Sequence, residues 1–286
     1  MRWVTVLTDA GPRACGAWQG QYVEVEGTHL GRPMSVRELL AIGVEGRRQA
    51  WEALAWGKHR HDPAIAPLLA PIPDPPKIIC LGLNYRDHAE ESGMAIPTEP
   101  IVFSKYASSL IGPGAEIVLP AASTEVDYEA ELVVVIGKGG RDIPRDRAME
   151  HVGGYTVGHD VSARDWQLNK PGKQWMMGKT FDTFAPLGPA LVTPDEVPDP
   201  HALGIRLRLN GETMQDSSTS QLIFRIDEFI AYLSRVFTFQ PGDLIFTGTP
   251  PGVGMARKPP VWLQLGDVVE VEIDGLGTLR NPVVRR

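Results

Sequence analysis

An acidic stretch in the middle of the chain has the residue types and spacing of a metal site. In the segment EVDYEAELVVVIG, residues 125–137, Glu129 and Glu131 stand two apart. Side chains at that spacing project to the same side of an extended strand, with Cα atoms roughly 6.5 Å apart. At an effective dielectric of about 20, their repulsion is on the order of 2.5 kcal/mol. We therefore expect a positive group beside them.

The rest of this strand indicates that the acids open into a cavity. The opposite face is apolar, and the acidic face itself becomes apolar at Val133 and Val135. A strand that is apolar on both faces is buried, whereas a solvated face, the ordinary explanation of an E-x-E pair, stays polar. Asp160, at the end of the apolar run GYTVGHD, offers a third carboxylate. Three carboxylates with no Cys partner suit Mg²⁺, Mn²⁺ or Ca²⁺ rather than zinc.

Two further segments carry groups suited to acid–base chemistry. His88 and Glu91 in NYRDHAEESG are three apart, so in a helical turn the carboxylate could hold the imidazole as a general base. An exposed polar turn is the alternative. Lys179 follows the bulky apolar residues of WMMGK, which favours a buried ammonium aimed inward. The run GKT also ends a nucleotide-binding P-loop, but that motif needs glycine where Lys173 stands, so we reject nucleotide binding.

Composition limits the class of protein. The chain has 286 residues, of which 43% are hydrophobic, and a formal net charge of -7. Its Lys and Arg residues are scattered, so we expect a globular enzyme that binds neither nucleic acid nor membrane. The first residues turn polar too early for a signal peptide. Cys15 and Cys80 lie far apart and are predicted to be packed thiols in a cytoplasmic protein.

The chain is predicted to divide near residue 75. Residues 1–27 have the pattern of a β-meander, and a helix capped by Ser35 and broken near Gly43 should follow. The Pro-rich segment APLLAPIPDPPK ends this part of the chain. We therefore predict a small N-terminal domain with its linker over 1–75 and a larger domain over 76–286.

The larger domain is predicted to be mainly β with few helices. Short strand-like runs bounded by Gly, Pro and Asn outnumber the two helical segments, RDRAMEHV and IDEFIAYLSRV, and do not alternate regularly with them. Asn210 followed by Gly211 is a strong hairpin signal. This α+β pattern favours a barrel, roll or sandwich over a doubly wound sheet.

Eight segments of the larger domain, taken together and in order, are specific to one protein family. They are LGLNYRDHAEESG, SSLIGPGAEIVLP, DYEAELVVVIG, GHDVSARDWQ, GKTFDTFAPLGP, LNGETMQDSSTSQLIF, PGDLIFTGTPPGVG and LGDVVEVEIDGLGTLRNPV. In these segments the chain resembles the fumarylacetoacetate hydrolase family. The resemblance covers roughly residues 77–286 and implies an enzyme with a β-roll or compact sandwich, usually a homodimer. The first 75 residues resemble the small leading domain of the longer bacterial members.

The resemblance also implies a role for each candidate residue. Three carboxylates bind Mg²⁺ or Mn²⁺, a His–Glu pair on a mobile lid activates water, a lysine polarises a substrate carbonyl, and three polar residues contact the substrate. By residue, these are Glu129, Glu131 and Asp160 for the metal, His88, Glu91 and Lys179 for catalysis, and Arg164, Gln167 and Thr249 for substrate binding.

The activity that the resemblance implies is hydrolysis of a C–C bond in a small-molecule 2-oxo acid, an acylpyruvate or fumarylpyruvate with a 1,3-dicarbonyl group. Decarboxylation of oxaloacetate-like acids is an alternative, as is isomerisation or hydration of unsaturated dioic acids from aromatic breakdown. In each reaction the metal ion and the lysine would stabilise the negative charge that develops on the 2-oxo acid. A non-catalytic Ca²⁺-binding β-module is an alternative of another class. Lys179 and His88 argue against it, because such a module requires neither.

Overall fold

The structure is a computed structural model, and it describes residues 1–26 and 33–286. The described chain is mainly β with few helices, as the strand-rich pattern predicted. Its strands form one large mixed sheet, a five-stranded sheet and a two-stranded pair. None of the described helices is long and apolar enough to span a membrane.

The bounds of the elements follow the chain order. The strands are β1 (Arg2–Thr8), β2 (Gly11–Trp18), β3 (Gln21–Glu24), β4 (Arg60–His61), β5 (Leu68–Leu69), β6 (Ile78–Gly82), β7 (Ile101–Ser104), β8 (Leu110–Ile111), β9 (Ile117–Leu119), β10 (Val126–Asp127), β11 (Ala130–Ile136), β12 (Val152–His159), β13 (Ser162–Ala163), β14 (Ala185–Val192), β15 (Gly204–Leu209), β16 (Glu212–Ser218), β17 (Leu244–Phe246), β18 (Val268–Ile273) and β19 (Gly277–Arg285). The α-helices are α1 (Val36–Ala41), α2 (Gly43–Ala53), α3 (Arg86–Ser92), α4 (Arg164–Asn169), α5 (Trp175–Lys179) and α6 (Ile226–Ser234).

The N-terminal strands form the predicted meander and continue into the large sheet. β1 pairs antiparallel with β2, and β2 with β3, while residue 27 lies outside the described part of the chain. On its other edge β1 pairs with β14, with Arg2 opposite Val192. One sheet therefore runs through both sides of the division expected near residue 75, and the two-domain organisation stays a prediction.

The helices after the meander begin and break as the sequence indicates. The Ser35 side chain accepts a hydrogen bond from the Glu38 N–H at 3.2 Å, and the Glu38 carboxylate accepts one from the Ser35 N–H at 2.8 Å. This reciprocal capping box satisfies two of the free N–H groups at the start of α1. Ile42 separates α1 from α2.

The later elements also follow their sequence signals. At the β15–β16 turn, Asn210 and Gly211 have φ angles of 53° and 84°, the positive pair that a two-residue hairpin loop requires. The segment IDEFIAYLS forms α6, which buries Phe229 and Leu233. The other predicted helix is a 3₁₀ helix over Arg145–His151. Further 3₁₀ helices are Leu54–Trp56, Ala107–Ser109, Pro194–Glu196, Thr219–Gln221 and Gly254–Ala256.

β11 lies inside the large sheet and is buried on both faces. It pairs antiparallel with β12 and with β17, and all seven of its residues are buried. Leu132 and Val134 belong to the main core, which β11 shares with the five-stranded sheet and α6. Val133 and Val135 belong to a second core together with Trp3 and the buried side of α1. The doubly buried strand that the sequence predicts is therefore confirmed.

Candidate active site

Three carboxylates converge where β11 begins and β12 ends. Glu129 immediately precedes β11, Glu131 is its second residue, and Asp160 follows β12. The two strands are antiparallel, with Ala130 opposite His159. The start of β11 and the end of β12 therefore lie side by side at the same end of the strand pair. One oxygen from each carboxylate lies within 4.8 Å of the others, and all three residues are buried.

Two lysines offset this buried negative charge. Lys179 Nζ donates to Glu129 Oε2 at 2.7 Å and to Asp160 Oδ2 at 2.8 Å. Lys105 Nζ pairs with Asp160 Oδ1 at 2.6 Å and also donates to the carbonyl oxygens of Val161, Lys179 and Phe184. Lys179 is thus buried and aimed inward, as its apolar neighbours predict.

Arg164 supplies a third cation, and each nitrogen of its guanidinium has a nearby acceptor. Nη2 pairs with Glu129 Oε1 at 2.7 Å, Nε donates to Asp127 Oδ2 at 2.8 Å, and Nη1 donates to Gln167 Oε1 at 2.9 Å. Asp127 in turn accepts hydrogen bonds from the backbone N–H groups of Gly254 and Met255 at 2.7 and 3.0 Å. The positive charge that the acid pair requires is therefore supplied partly by the protein itself.

The two glutamates differ in their electrostatic surroundings. Burial opposes ionisation of Glu129, but Lys179 and Arg164 outweigh it and lower its pKa to about 2. Burial raises the pKa of Glu131 well above its usual range, and the neighbouring Asp160 and Glu129 raise it further. Within the described chain Glu131 accepts a hydrogen bond from the Gly248 N–H at 2.8 Å but has no ion pair. An all-oxygen set in which one carboxyl group lacks a cationic partner fits a hard divalent cation.

His88 and Glu91 lie on α3 with the geometry of a general base. His88 Nδ1 is 3.1 Å from Glu91 Oε2, and Glu91 Oε1 accepts a hydrogen bond from the Gly252 N–H at 2.9 Å. Burial opposes the charge of Glu91, yet the hydrogen bonds from His88 and Gly252 lower its pKa overall. An ionised Glu91 favours the tautomer with the proton on Nδ1, which leaves Nε2 to accept a proton.

These groups line one cavity of about 490 Å³. Asp160 is the one predicted site residue outside its lining, and it lies beneath the cavity, bound to both lysines. The lining also includes apolar residues such as Phe103 and Trp175, whose ring centroids are 5.7 Å apart. The predicted site residues in the lining are His88, Glu91, Glu129, Glu131, Arg164, Gln167, Lys179 and Thr249.

Several residues of this site had no role in the sequence interpretation. Lys105 and Gln215 stand in segments without a distinctive charge pattern, and their contacts join parts of the chain far apart in sequence. Asp127 belongs to the acidic run, so its charge could be noticed in the sequence. Nothing in that run indicates that Arg164 is its partner. Gly248 has φ +95, and a Cβ there would lie 2.9 Å from the Asn84 Cβ. Glycine therefore allows the close turn that brings its N–H to Glu131.

The chain is similar in sequence and in fold to known proteins. A mitochondrial oxaloacetate tautomerase fahd2 from Xenopus laevis is 53% identical over 93% of this chain and 83% of its own length. The solved fumarylacetoacetate hydrolase of Exiguobacterium antarcticum is 36% identical with a TM-score of 0.82, covering 100% of both chains. Maleylpyruvate hydrolase from Sphingobium sp. SYK-6, solved with manganese(II) and pyruvate, is 33% identical with a TM-score of 0.82, covering 100% of this chain and 99% of its own.

The expectation of a cytoplasmic protein is wrong. The frog relative and its human counterpart are both named as mitochondrial proteins. The expectation depended on composition and on the polarity of the first residues. Neither property determines the compartment in which a folded enzyme works.

The family assignment joins sequence, fold and site. The model of the fumarylacetoacetate (FAA) hydrolase C-terminal family matches residues 77–284, which contain all nine predicted site residues. The matched structures cover the whole chain and share its mainly β architecture. The chain belongs to the fumarylacetoacetate hydrolase family of enzymes.

Proposed function

We propose that this chain is a divalent-metal-dependent enzyme that interconverts the keto and enol forms of a 2-oxo dicarboxylic acid, with oxaloacetate as the first substrate to test. One observation carries the proposal: the His88–Glu91 pair and Lys179 line the same cavity as the carboxyl groups of Glu129 and Glu131. A proton acceptor and a stabiliser of negative charge are the two requirements of enolisation. The name of the frog relative, which shares 53% identity, agrees with this chemistry.

Glu129, Glu131 and Asp160 would hold the metal ion, with Mg²⁺ or Mn²⁺ as the proposed cofactor. When bound, the ion would act as a Lewis acid toward the oxygens of the 2-oxo acid. The manganese and pyruvate in the solved maleylpyruvate hydrolase support this choice of ion and of substrate class. Glu131 supports it independently, because its side chain is buried without an ion pair in the described chain, and a carboxylate there is unfavourable unless a cation accompanies it.

His88 would move the proton. Its Nε2 accepts the proton from C3 of the 2-oxo acid, the electron pair of the C–H bond forms the C2–C3 double bond, and the C2 oxygen takes the negative charge. Transfer of the proton from Nε2 to that oxygen gives the enol and restores the neutral imidazole, and the reverse steps give the keto acid. Glu91 holds the imidazole in the required tautomer, since its carboxylate binds Nδ1 at 3.1 Å.

Lys179 and Gln167 would bind the substrate oxygens. The Lys179 ammonium lies in the cavity wall and stabilises negative charge that develops on the C2 oxygen. Because Arg164 donates to Gln167 Oε1, the amide nitrogen of Gln167 is the end left to donate to a substrate carboxylate. Arg164 acts mainly by holding Glu129 and Gln167 in place.

Hydrolysis of an acylpyruvate is the second candidate. The same His88–Glu91 pair could deprotonate water for attack on the distal ketone, after which the C–C bond breaks to give pyruvate and a carboxylic acid. The likeness to maleylpyruvate hydrolase favours this reaction, and the cavity of about 490 Å³ has room for an acyl group. Decarboxylation would use the same groups, whereas a non-catalytic calcium module would need neither His88 nor Lys179. The homodimer implied by the family stays a prediction that light scattering can test.

The deciding experiment measures the absorbance of enol-oxaloacetate as it relaxes to the keto form, with Mg²⁺ and purified protein. We expect faster relaxation than in buffer with Mg²⁺ alone, and loss of the acceleration in Glu131→Gln and in EDTA. Mass spectrometry on acylpyruvates, oxaloacetate and unsaturated dioates identifies other products. Acylpyruvate cleavage without any effect on enol relaxation would replace tautomerisation by hydrolysis, and CO₂ release as the main reaction would replace it by decarboxylation.

A further inference from the structure

Gln215 lies beneath the cavity and joins the metal-binding strand to the loop 247–254. It belongs to β16 and is 1% exposed. Its Oε1 accepts a hydrogen bond from the Ala130 N–H at 2.8 Å, and Nε2 donates to the Pro250 carbonyl at 2.8 Å and to Thr249 Oγ1 at 2.9 Å. Ala130 stands between the two glutamates of the proposed metal site, so this amide supports the backbone that presents them.

The backbone fixes the orientation of this amide. A peptide N–H can only donate and a carbonyl oxygen can only accept, so the Gln215 oxygen must face the Ala130 N–H and its nitrogen must face Pro250. A flipped amide would place two donors together at Ala130 and two acceptors together at Pro250. The second N–H of the amide is therefore directed at the Thr249 hydroxyl.

The same reasoning locates the hydroxyl proton of Thr249. Thr249 Oγ1 is 2.9 Å from the carbonyl oxygen of Ala130, which can only accept, so the proton points there. Gln215 donates to one lone pair of Oγ1, and one lone pair remains. Thr249 lines the cavity, and a ligand that reaches this oxygen would meet an acceptor and not a donor.

We propose that Gln215 is a positioning residue. It fixes Thr249 as a hydrogen-bond acceptor and holds the backbone N–H of Ala130, the residue between Glu129 and Glu131. The site then favours a ligand that presents a hydroxyl hydrogen at Thr249. This preference rests on the proposed function, under which the hydroxyl belongs to the enol form of the 2-oxo acid. The keto form presents an acceptor at that oxygen and gains nothing from Thr249.

The first test is made on metal-free protein and requires no ligand. Gln215→Met keeps the side-chain length but removes all three hydrogen bonds, and Thr249→Val removes only the hydroxyl. Because the two residues share a bond, we expect their effects on urea unfolding to be non-additive in the double variant. Additive effects would overturn the pairing. If Gln215→Met fails to fold, Gln215→Glu replaces it, since that side chain keeps the acceptor for Ala130 and loses the donors.

The second test measures cation affinity by calorimetry with Mn²⁺. Gln215→Met should weaken binding by roughly 10- to 100-fold, the usual effect of removing a group that orients metal ligands. The matched control is Asn281→Leu, because Asn281 is also a buried amide that donates to two backbone carbonyls, those of Gly112 and Ala115, but does not line the cavity. Equal Mn²⁺ affinity in the wild type and Gln215→Met would contradict the proposal that Gln215 supports the backbone between Glu129 and Glu131.

The third test compares pyruvate with each enantiomer of lactate on Mn²⁺-loaded protein, since these probes differ by a carbonyl or a hydroxyl at C2. Thr249→Val and Gln215→Met should each reduce the ratio of lactate to pyruvate affinity by about 5- to 10-fold, the effect of one hydrogen bond, and the double variant should reduce it no further. An unchanged ratio would overturn the acceptor role. If the wild type binds Mn²⁺ but neither probe, the proposed function fails, while the first two tests still decide the role of Gln215.

Discussion

Two halves of one strand face meet opposite surroundings. Val133 and Val135 pack into an apolar core, whereas Glu129 and Glu131, on the same side of the chain, meet buried cations and a cavity. Burial of the valines is favourable by itself. Burial of the glutamates is unfavourable unless ion pairs and hydrogen bonds accompany it. The apolar half therefore needs only neighbours of suitable size, and the acidic half needs specific groups from several other elements.

Removal of a buried cation should affect the acidic half most strongly. Lys105→Met fills a similar volume but leaves Asp160 without one of its two ammonium partners, so we expect a loss of about 3–5 kcal/mol in the free energy of unfolding. Urea unfolding in EDTA measures it. Lys77→Met is the control, because Lys77 also pairs with a buried carboxylate, that of Asp243, but its side chain is 27% exposed. Equal losses would show that burial of the cation does not matter.

Removal of the buried acid Glu131 should leave stability intact but have a large effect on turnover. Glu131→Gln should lower turnover by roughly 100- to 1,000-fold, the range for loss of one electrostatic stabiliser of the transition state. Unfolding in EDTA should show no loss of stability, because Glu131 has no ion pair in the described chain. Glu272→Gln is the control, since Glu272 pairs with Arg208 at the surface of the other sheet. Normal turnover in Glu131→Gln would remove this residue from the site.

The apolar half should respond through stability alone. Val135→Ala leaves a small cavity in the second core, with an expected loss of about 2 kcal/mol in the free energy of unfolding. The loss should be the same in EDTA and in Mg²⁺, because the apolar contacts of this valine do not depend on charge. Urea unfolding under both conditions measures it. A loss that depends on Mg²⁺, or a fall in turnover of the folded variant, would mean that the two halves of the face are coupled.

The smallest expected effect is a pH dependence of the metal-free protein. Burial, with Asp160 and Glu129 nearby, raises the pKa of Glu131 above the value of about 4.3 for an unfolded chain. Between those two pKa values the folded state binds more protons than the unfolded state, so this group makes the free energy of unfolding fall as pH rises through that window. Glu131→Gln should remove that contribution. Identical pH profiles for the wild type and the variant, measured in EDTA, would contradict the raised pKa.

The sequence predicted the acidic half only in part. The spacing of Glu129 and Glu131, the apolar run after them and the position of Asp160 were enough to predict a buried oxygen site. The helical spacing of His88 and Glu91 predicted their pairing, which the structure shows at 3.1 Å. These inferences succeeded because they depend on local periodicity, which strands and helices impose on any chain.

The contacts of Arg164 show where such inference ends. The family resemblance implied a substrate contact for this residue, which stays a prediction, but it did not indicate that the guanidinium pairs with Asp127 and Glu129. Asp127 lies 37 positions away from Arg164 in the chain. No periodicity in one segment predicts which distant segment lies across from it.

By itself, the sequence determined the local elements, the doubly buried strand and the oxygen chemistry of the site, because residue spacing fixes which side chains share a face. The tertiary structure decided which cations offset the acids and in which direction the Thr249 hydroxyl proton points. It also decided that Glu131 has no ion pair within the described chain. Those outcomes depend on distances and hydrogen-bond directions between segments such as Lys105, Gln215 and the loop 247–254, and the packing of the sheets alone brings these segments together.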